Sequence, residues 1–249
     1  FTLDCACKSQ IRGSGNVVTR DVNISGVDGV HLGTIGTLHV KLGGEEKFVV
    51  EAEDNIQEYI KVRVRGGVLT ITLESDGGIN TTEDIHYYLT VKELKSVKLS
   101  SAGDGYIEDD IKTDDFEISI SSAGDLEMQK IEANEVDISV SSAGDVEIED
   151  VRARELDVRI SSAGDVSIHD GEVERQDVRI SSAGDYNAKS VSSKEAKVMV
   201  SSSGDAVVMV EERLDASSSS SGSILYIGDP VVHSRTSSSG DVRRIRSSL

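Results

Sequence analysis

The stretch Val158-Arg159-Ile160-Ser161-Ser162-Ala163-Gly164-Asp165-Val166-Ser167-Ile168 decides how this chain folds, because its centre recurs. SSAGD stands at Ser100, Ser121, Ser141, Ser161 and Ser181, followed by SSSGD at Ser201, SSSGS at Ser219 and SSSGD at Ser237. Successive starts lie 21 residues apart, then 20 four times, then 18 twice. Self-similarity at a fixed period near twenty, without heptads, is the signature of stacked coils. On either side of the corner, apolar and polar residues alternate, and a period of two means strand. Stepping by twenty keeps the same face apolar: Ile118, Ile138, Val158, Val178 and Val198 in one column, with Ile120, Val140, Ile160, Ile180 and Val200 beside it. Leu126, Val146 and Val166 mark a second side, and Ile131, Val151 and Val191 a third. Three short strands fit one coil.

A strand that pairs with its own equivalent one repeat later must run parallel to it, at roughly 4.8 Å spacing. Parallel crossovers are overwhelmingly right-handed. The sequence therefore predicts an all-β chain, a right-handed parallel β-helix (β-solenoid) of about 20-residue coils. Only 4% of residues are aromatic and none is Trp, which suits a narrow interior. The corner has its own chemistry: Ser162 turned inward to bond hydroxyls of neighbouring coils, Gly164 to supply a positive φ, and Asp165 to cap the amides that follow the turn.

The rest of the chain divides around that repeat. Residues 1–10 read as an N-terminal extension carrying the only two cysteines, Cys5 and Cys7. Residues 11–99 read as an irregular, strand-rich N-terminal part of the helix, stacked on it or capping it, and residues 100–249 as the regular repeat. Within 11–99, Ile60–Val64 and Val68–Leu73 around Gly66-Gly67 read as a hairpin, and Asp54–Tyr59 as a single helical turn. Cysteines two apart rarely have the geometry to bridge each other, so Cys5 and Cys7 leave three readings: intersubunit disulfides, lipidation, or free thiols.

Composition narrows the function classes. With a net charge of −19 and no concentration of Lys and Arg, the chain is a poor partner for nucleic acid. No apolar run is long enough for a membrane-spanning helix. Asp104, Asp125, Asp145, Asp165, Asp185, Asp205 and Asp241 should form a column of carboxylates. Turn capping is the preferred role, with Ca²⁺ binding the weaker alternative, since the spacing is not that of calcium-binding nonapeptide repeats. Outside them Glu117, Asp137, Asp157 and Asp177 form an acidic column that ends at Lys197, with Asp157–Arg159 and Asp177–Arg179 as expected ion pairs. A calcium-dependent polysaccharide lyase would need Arg159, Arg179 or His169 as its base. The uniform coils leave no inserted loops to build a groove around one, and no catalytic residue is assigned. The last strand, with Arg243, Arg244, Ile245 and Arg246, is basic and offers an end-to-end contact to a second copy.

Gly13-Ser14-Gly15-Asn16-Val17-Val18, Gly26-Val27-Asp28-Gly29-Val30, Gly66-Gly67-Val68-Leu69, the repeated Ser-Ala-Gly-Asp and Leu225-Tyr226-Ile227-Gly228-Asp229-Pro230 together resemble the bacterial head GIN domain family of "putative autotransporter adhesins". The resemblance runs from about Ile11 to about Ile245. It implies a β-helical protein, secreted or on the bacterial cell surface, and carries over no catalytic residues. The combined expectation is a non-enzymatic structural or adhesin-like solenoid that self-assembles head-to-tail into a filament. The alternatives are a cell-surface glycan-binding module and the lyase.

Overall fold

The computed structural model describes residues 10–246. Within them the chain is all strand, turn and bend, wound into a parallel β-solenoid. The strands Leu126–Val140, Val146–Ile160, Val166–Ile180, Tyr186–Val200 and Asp205–Ser218 each make one rung, and each pairs in parallel with the next. Ile138 lies against Val158, Val158 against Val178 and Val178 against Val198, all 0% exposed. Each such side chain contributes about 1.5–3 kcal/mol by leaving water, so the column is the main source of stability. The rungs differ from expectation in one respect. The pairing skips a residue at Gln129 and again at Asn134, but the strand runs on, so a rung is one continuous strand of 14 or 15 residues ended only at the serine corner, where three short strands were expected.

The corner also works differently. Gly124, Gly144, Gly164, Gly184 and Gly204 are absent from the residues with positive φ. They are glycine because corners stack in direct contact: a Cβ on Gly164 would sit 2.3 Å from the carbonyl oxygen of Gly144, and one on Gly144 would sit 2.2 Å from that of Gly124. The positive φ appears only in the last two corners, at Ser220 and Ser238, where the period has fallen to 18. The shortening itself happens between Tyr186–Val200 and Asp205–Ser218, whose pairing slips between Ala188 and Ser192 and again between Ser193 and Glu195. There the interior turns polar. Tyr186 donates to Gln176 Oε1 (3.2 Å), Gln176 Nε2 donates to Ser193 Oγ (2.8 Å) and Ser193 Oγ donates to the Met209 carbonyl (2.7 Å). All three side chains are buried, and the chain of bonds satisfies them.

Residues before the repeat both extend the stack and close it. Gly29–Gly33 and Gly36–Leu42 form a rung on Ser96–Leu99 and Gly103–Ile107, in parallel. On the far side of that rung lie Val68–Leu73 and His86–Val91, also parallel, although they come later in the chain. Beyond these the direction reverses: Ile60–Arg65 pairs antiparallel with Val68–Leu73, Lys47–Glu53 with His86–Val91, and Val17–Val22 with Lys47–Glu53. The hairpin is thus present, and Asp54–Tyr59 is a turn held by Gln57 N to the Glu53 carbonyl (3.1 Å). Antiparallel strands end the parallel stack at this side. No helix of the described residues is long and apolar enough to cross a membrane.

Candidate functional site

The serine corner brings together most of the predicted aspartates and occupies them. Asp104 Oδ1 accepts the amide of Asp125 (3.1 Å), Asp125 that of Asp145 (3.0 Å), Asp145 that of Asp165 (2.8 Å), Asp165 that of Asp185 (2.8 Å), and Asp185 that of Asp205 (2.8 Å). Asp205 caps Ser223 (3.0 Å), whose own side chain cannot continue the series. Each carboxylate therefore caps the next rung rather than the amide after its own turn, a correction to the local cap expected from the repeat. The bond offsets the repulsion between neighbouring charges. Burial and the charges of Asp165 and Asp205 push the Asp185 carboxyl up, against the pull of the Asp205 amide. Asp241 stands apart from the ladder, paired with Arg243 (3.4 Å). Among the described residues no bond joins the corner serine hydroxyls; Ser141 and Ser201 Oγ reach the carbonyls of Ile120 (3.5 Å) and Ile180 (3.4 Å).

The other gathering of charge is a trough along one side of the solenoid, where the strand bends around Leu156, Gln176 and Ala196. Three outward columns line it, fixed by the pairing register. The first runs Asp115, Glu135, Glu155, Arg175, Glu195, Arg213; the second Glu117, Asp137, Asp157, Asp177, Lys197, Asp215, His233. The third runs Ser119, Ser139, Arg159, Arg179, Met199, Ser217, Arg235. The trough is graded: within these three columns the rungs of Asp115 and Glu135 carry acids and no base, and bases appear from Arg159 onward. Of the expected pairs, Arg179–Asp177 forms (2.7 Å), whereas Arg159 reaches across to Asp137 on the preceding rung (3.1 Å). His169 pairs with Glu147 (2.7 Å), so each base considered for a lyase is engaged with an acid of its own.

At the acidic end Glu135, Asp137 and Asp157 place carboxylate oxygens within 4.8 Å of one another. Asp137 pushes the Glu135 carboxyl up, with burial and Glu155 adding to it. Burial pushes Asp157 up, Asp137 and Asp177 add to it, and Arg159 opposes it. A carboxylate whose folded pKa is raised costs stability once it ionises and returns it as pH falls through that pKa. Asp157→Asn should therefore raise the melting temperature at pH 7 by about 1–2 °C. The gain should shrink as pH falls and be gone by about pH 3 in a differential scanning measurement, and an unchanged or lower melting temperature at pH 7 would contradict the repulsion.

At the last rung Arg244 pairs with Asp229 (2.9 Å), Ile245 donates its amide to Tyr226 (2.9 Å), and Arg246 is exposed. Cys5 and Cys7 lie outside the described residues. Two features escaped sequence reasoning. Glu53-Asp54-Asn55 clamps the Gly13–Asn16 turn: Glu53 Oε1 accepts Gly15 N (2.6 Å), Asp54 accepts Ser14 Oγ (2.5 Å) and Asn16 Nδ2 (3.0 Å), and Asn55 Oδ1 accepts Ser14 N (3.0 Å). Tyr88, His39 and Tyr106 stack on one another with ring centroids 5.2 and 5.6 Å apart. Their chain order hides this, because the rung of His39 lies between those of Tyr88 and Tyr106.

Residues 26–149 and 129–230 match the family model "Putative auto-transporter adhesin, head GIN domain". No curated protein matches the chain. The fold is similar to that of a putative lipid binding protein from Parabacteroides distasonis ATCC 8503, at 23% identity and a TM-score of 0.87 over 95% of this chain and 100% of that one. It is similar also to a putative adhesin from the same organism, at 18% identity and a TM-score of 0.89 with the same coverage. A putative adhesin from Parabacteroides merdae ATCC 43184 gives 20% identity and 0.87, over 95% of this chain and 99% of that one. At these identities the likeness establishes the fold.

Proposed function

The chain belongs to the family "Putative auto-transporter adhesin, head GIN domain", and from that premise we propose that it is a non-enzymatic, surface-exposed or secreted bacterial solenoid that binds other surfaces through its graded side trough. The observation that carries this is the constancy of the rungs. Because Leu126–Val140 through Asp205–Ser218 hold nearly one length without inserted loops, outward residues fall in straight columns and the chain presents a long, patterned face. The corner carboxylates are spent on backbone amides, and the candidate bases on ion pairs, which leaves adhesion the better use of the face. Immobilised protein should retain bacterial or host cells saturably, well above a neutral protein of the same size. Retention no higher than that control on either cell type would refute the reading.

End-to-end assembly is a second reading, favoured by the outer edges of Val231–Thr236 and Asp241–Arg244. Among the described residues these strands pair only inward, and Val231 is 65% exposed. The opposite end is not the acidic surface such contact would prefer, since its outer strands carry Arg20, Lys61, Arg63 and Arg65. Two basic ends repel until salt screens them, so association should grow between 50 mM and 500 mM salt. Sedimentation velocity would read it, and a monomer at every concentration in both salts would remove it.

A further inference from the structure

We propose that the basic end of the trough is a binding cleft for an acidic glycan, a deepening that rests on the adhesive reading above. A cleft of about 700 Å³ opens there, lined by Lys197, Arg213, His233 and Arg235, with Met199 and Ser217. It continues into a second cleft of about 320 Å³ through the shared Lys197, Arg213 and Asp215. On a chain of net charge −19, with 45 acidic against 26 basic residues, a cluster of bases with one carboxylate among them is a local inversion of sign. Such a cluster attracts an occupant of negative charge.

Asp215 does not cancel the site; it orients it. Its Oδ2 accepts Arg213 Nε (3.0 Å) and Nη2 (2.9 Å), and its Oδ1 meets His233 Nδ1 (3.2 Å). The Arg213 guanidinium is thereby fixed, and among the described residues its Nη1 and the His233 Nε2 have no partner. Arg235 is exposed and has no ion pair among the described residues. Lys197 has, among the described residues, only a long ion-pair contact to Asp177 (3.8 Å). These donors are pre-positioned for carboxylate or sulfate oxygens, which arginine binds through paired N–H groups.

The remaining lining selects a sugar over other polyanions. Met199 supplies an apolar ledge for the C–H face of a ring, and Ser217 and Ser234 supply hydroxyls for its hydroxyls. Rungs repeat at about 4.8 Å, close to the length of one pyranose unit, so successive acidic sugars reach successive rungs. Glu155, Asp157, Asp177 and Glu195 in the adjoining cleft repel any polyanion, which confines the occupant to the basic end.

Biolayer interferometry with the full chain tests this against a heparin-derived octasaccharide, an octagalacturonate and neutral malto-octaose. The sulfated or the carboxylated sugar, or both, should bind with an affinity that falls as salt rises, and the difference between them identifies the acidic group. Malto-octaose should not bind. The variant Arg213→Ser with Arg235→Ser should weaken binding by about tenfold or more. Lys112→Ser with Arg152→Ser makes the same charge change in another column and should leave it within about twofold. Both variants should keep the wild-type melting temperature. Equal binding of malto-octaose, an undiminished double variant, or no binding of either acidic sugar overturns the proposal. In each of those cases cell retention by the wild type shows whether the adhesive reading survives on its own.

Discussion

Gly144→Ala is expected to lower the melting temperature by roughly 5–10 °C, corresponding to about 3 kcal/mol. An added Cβ would lie 2.2 Å from the Gly124 carbonyl oxygen, 2.8 Å from that of Ser122 and 2.9 Å from Ile120 Cγ2. Two of those atoms are backbone carbonyl oxygens of the preceding corner, which cannot swing aside. Relief requires separating two rungs that Ser141 N to the Ile120 carbonyl (2.9 Å) and Asp145 N to Asp125 Oδ1 (3.0 Å) hold together on either side of the corner. Ala143→Gly is the matched control, because Ala143 is exposed and its loss only loosens the unfolded chain, by at most about 1 kcal/mol. Calorimetry on both variants decides the matter. If Gly144→Ala melts with the wild type, the corners are not in contact and the glycine is a turn residue after all.

Glu53→Gln should cost about 3 kcal/mol and flatten the acid limb of the stability curve. Glu53 is 1% exposed, yet ionised: Oε1 accepts Gly15 N (2.6 Å) and Thr82 Oγ1 (2.5 Å), and Oε2 accepts Thr82 N (3.0 Å). Burial pushes its carboxyl up, but the Thr82 hydroxyl and the amides of Gly15, Thr82 and Glu83 outweigh it and hold the group below the usual range. Glutamine would turn an NH₂ toward donors and leave at least one amide without an acceptor. A depressed carboxyl contributes stability that is complete above its unfolded pKa of about 4.3 and lost as pH falls through the folded value. The wild type should therefore weaken below about pH 4 more steeply than the variant. Urea titrations at pH 7 and pH 3.5, with hydrogen exchange at Gly15 and Thr82, read both effects. A variant within about 0.5 kcal/mol of wild type at pH 7 would mean that the clamp is not what holds the cap together.

The repeat was legible because stacking makes one rung's sequence the next rung's environment. Val158 must be apolar for the same reason that Ile138 and Val178 are, so a twenty-residue beat exposes the core directly. The acidic column from Glu117 to Asp177 and its reversal at Lys197 were readable by the same counting. What counting could not supply was whatever depends on two rungs meeting. Glycine in a turn suggests φ > 0, whereas here its neighbour's carbonyl is what excludes a side chain. A sequence shows only local amides and so points the aspartate at its own turn, whereas the amide it binds is one rung away. Likewise Gln176 and Tyr186 break the apolar pattern singly, and only inside the tube do they meet each other and Ser193.

The first hundred residues mark the boundary most clearly. Strand content, the Gly66-Gly67 hairpin and the turn at Asp54–Tyr59 follow from local preferences, and the sequence determined them by itself. Only the tertiary structure decided that Gly29–Leu42 lies between a rung earlier in space and later in the chain, Val68–Val91, and one that follows it, Ser96–Ile107. That placement brings Tyr88, His39 and Tyr106 into one stack and sets Glu53 against Gly13. The physical reason is that periodicity encodes which face of a strand is buried, while the order in which aperiodic strands stack is set by contacts between residues far apart, and those leave no regular trace along the chain.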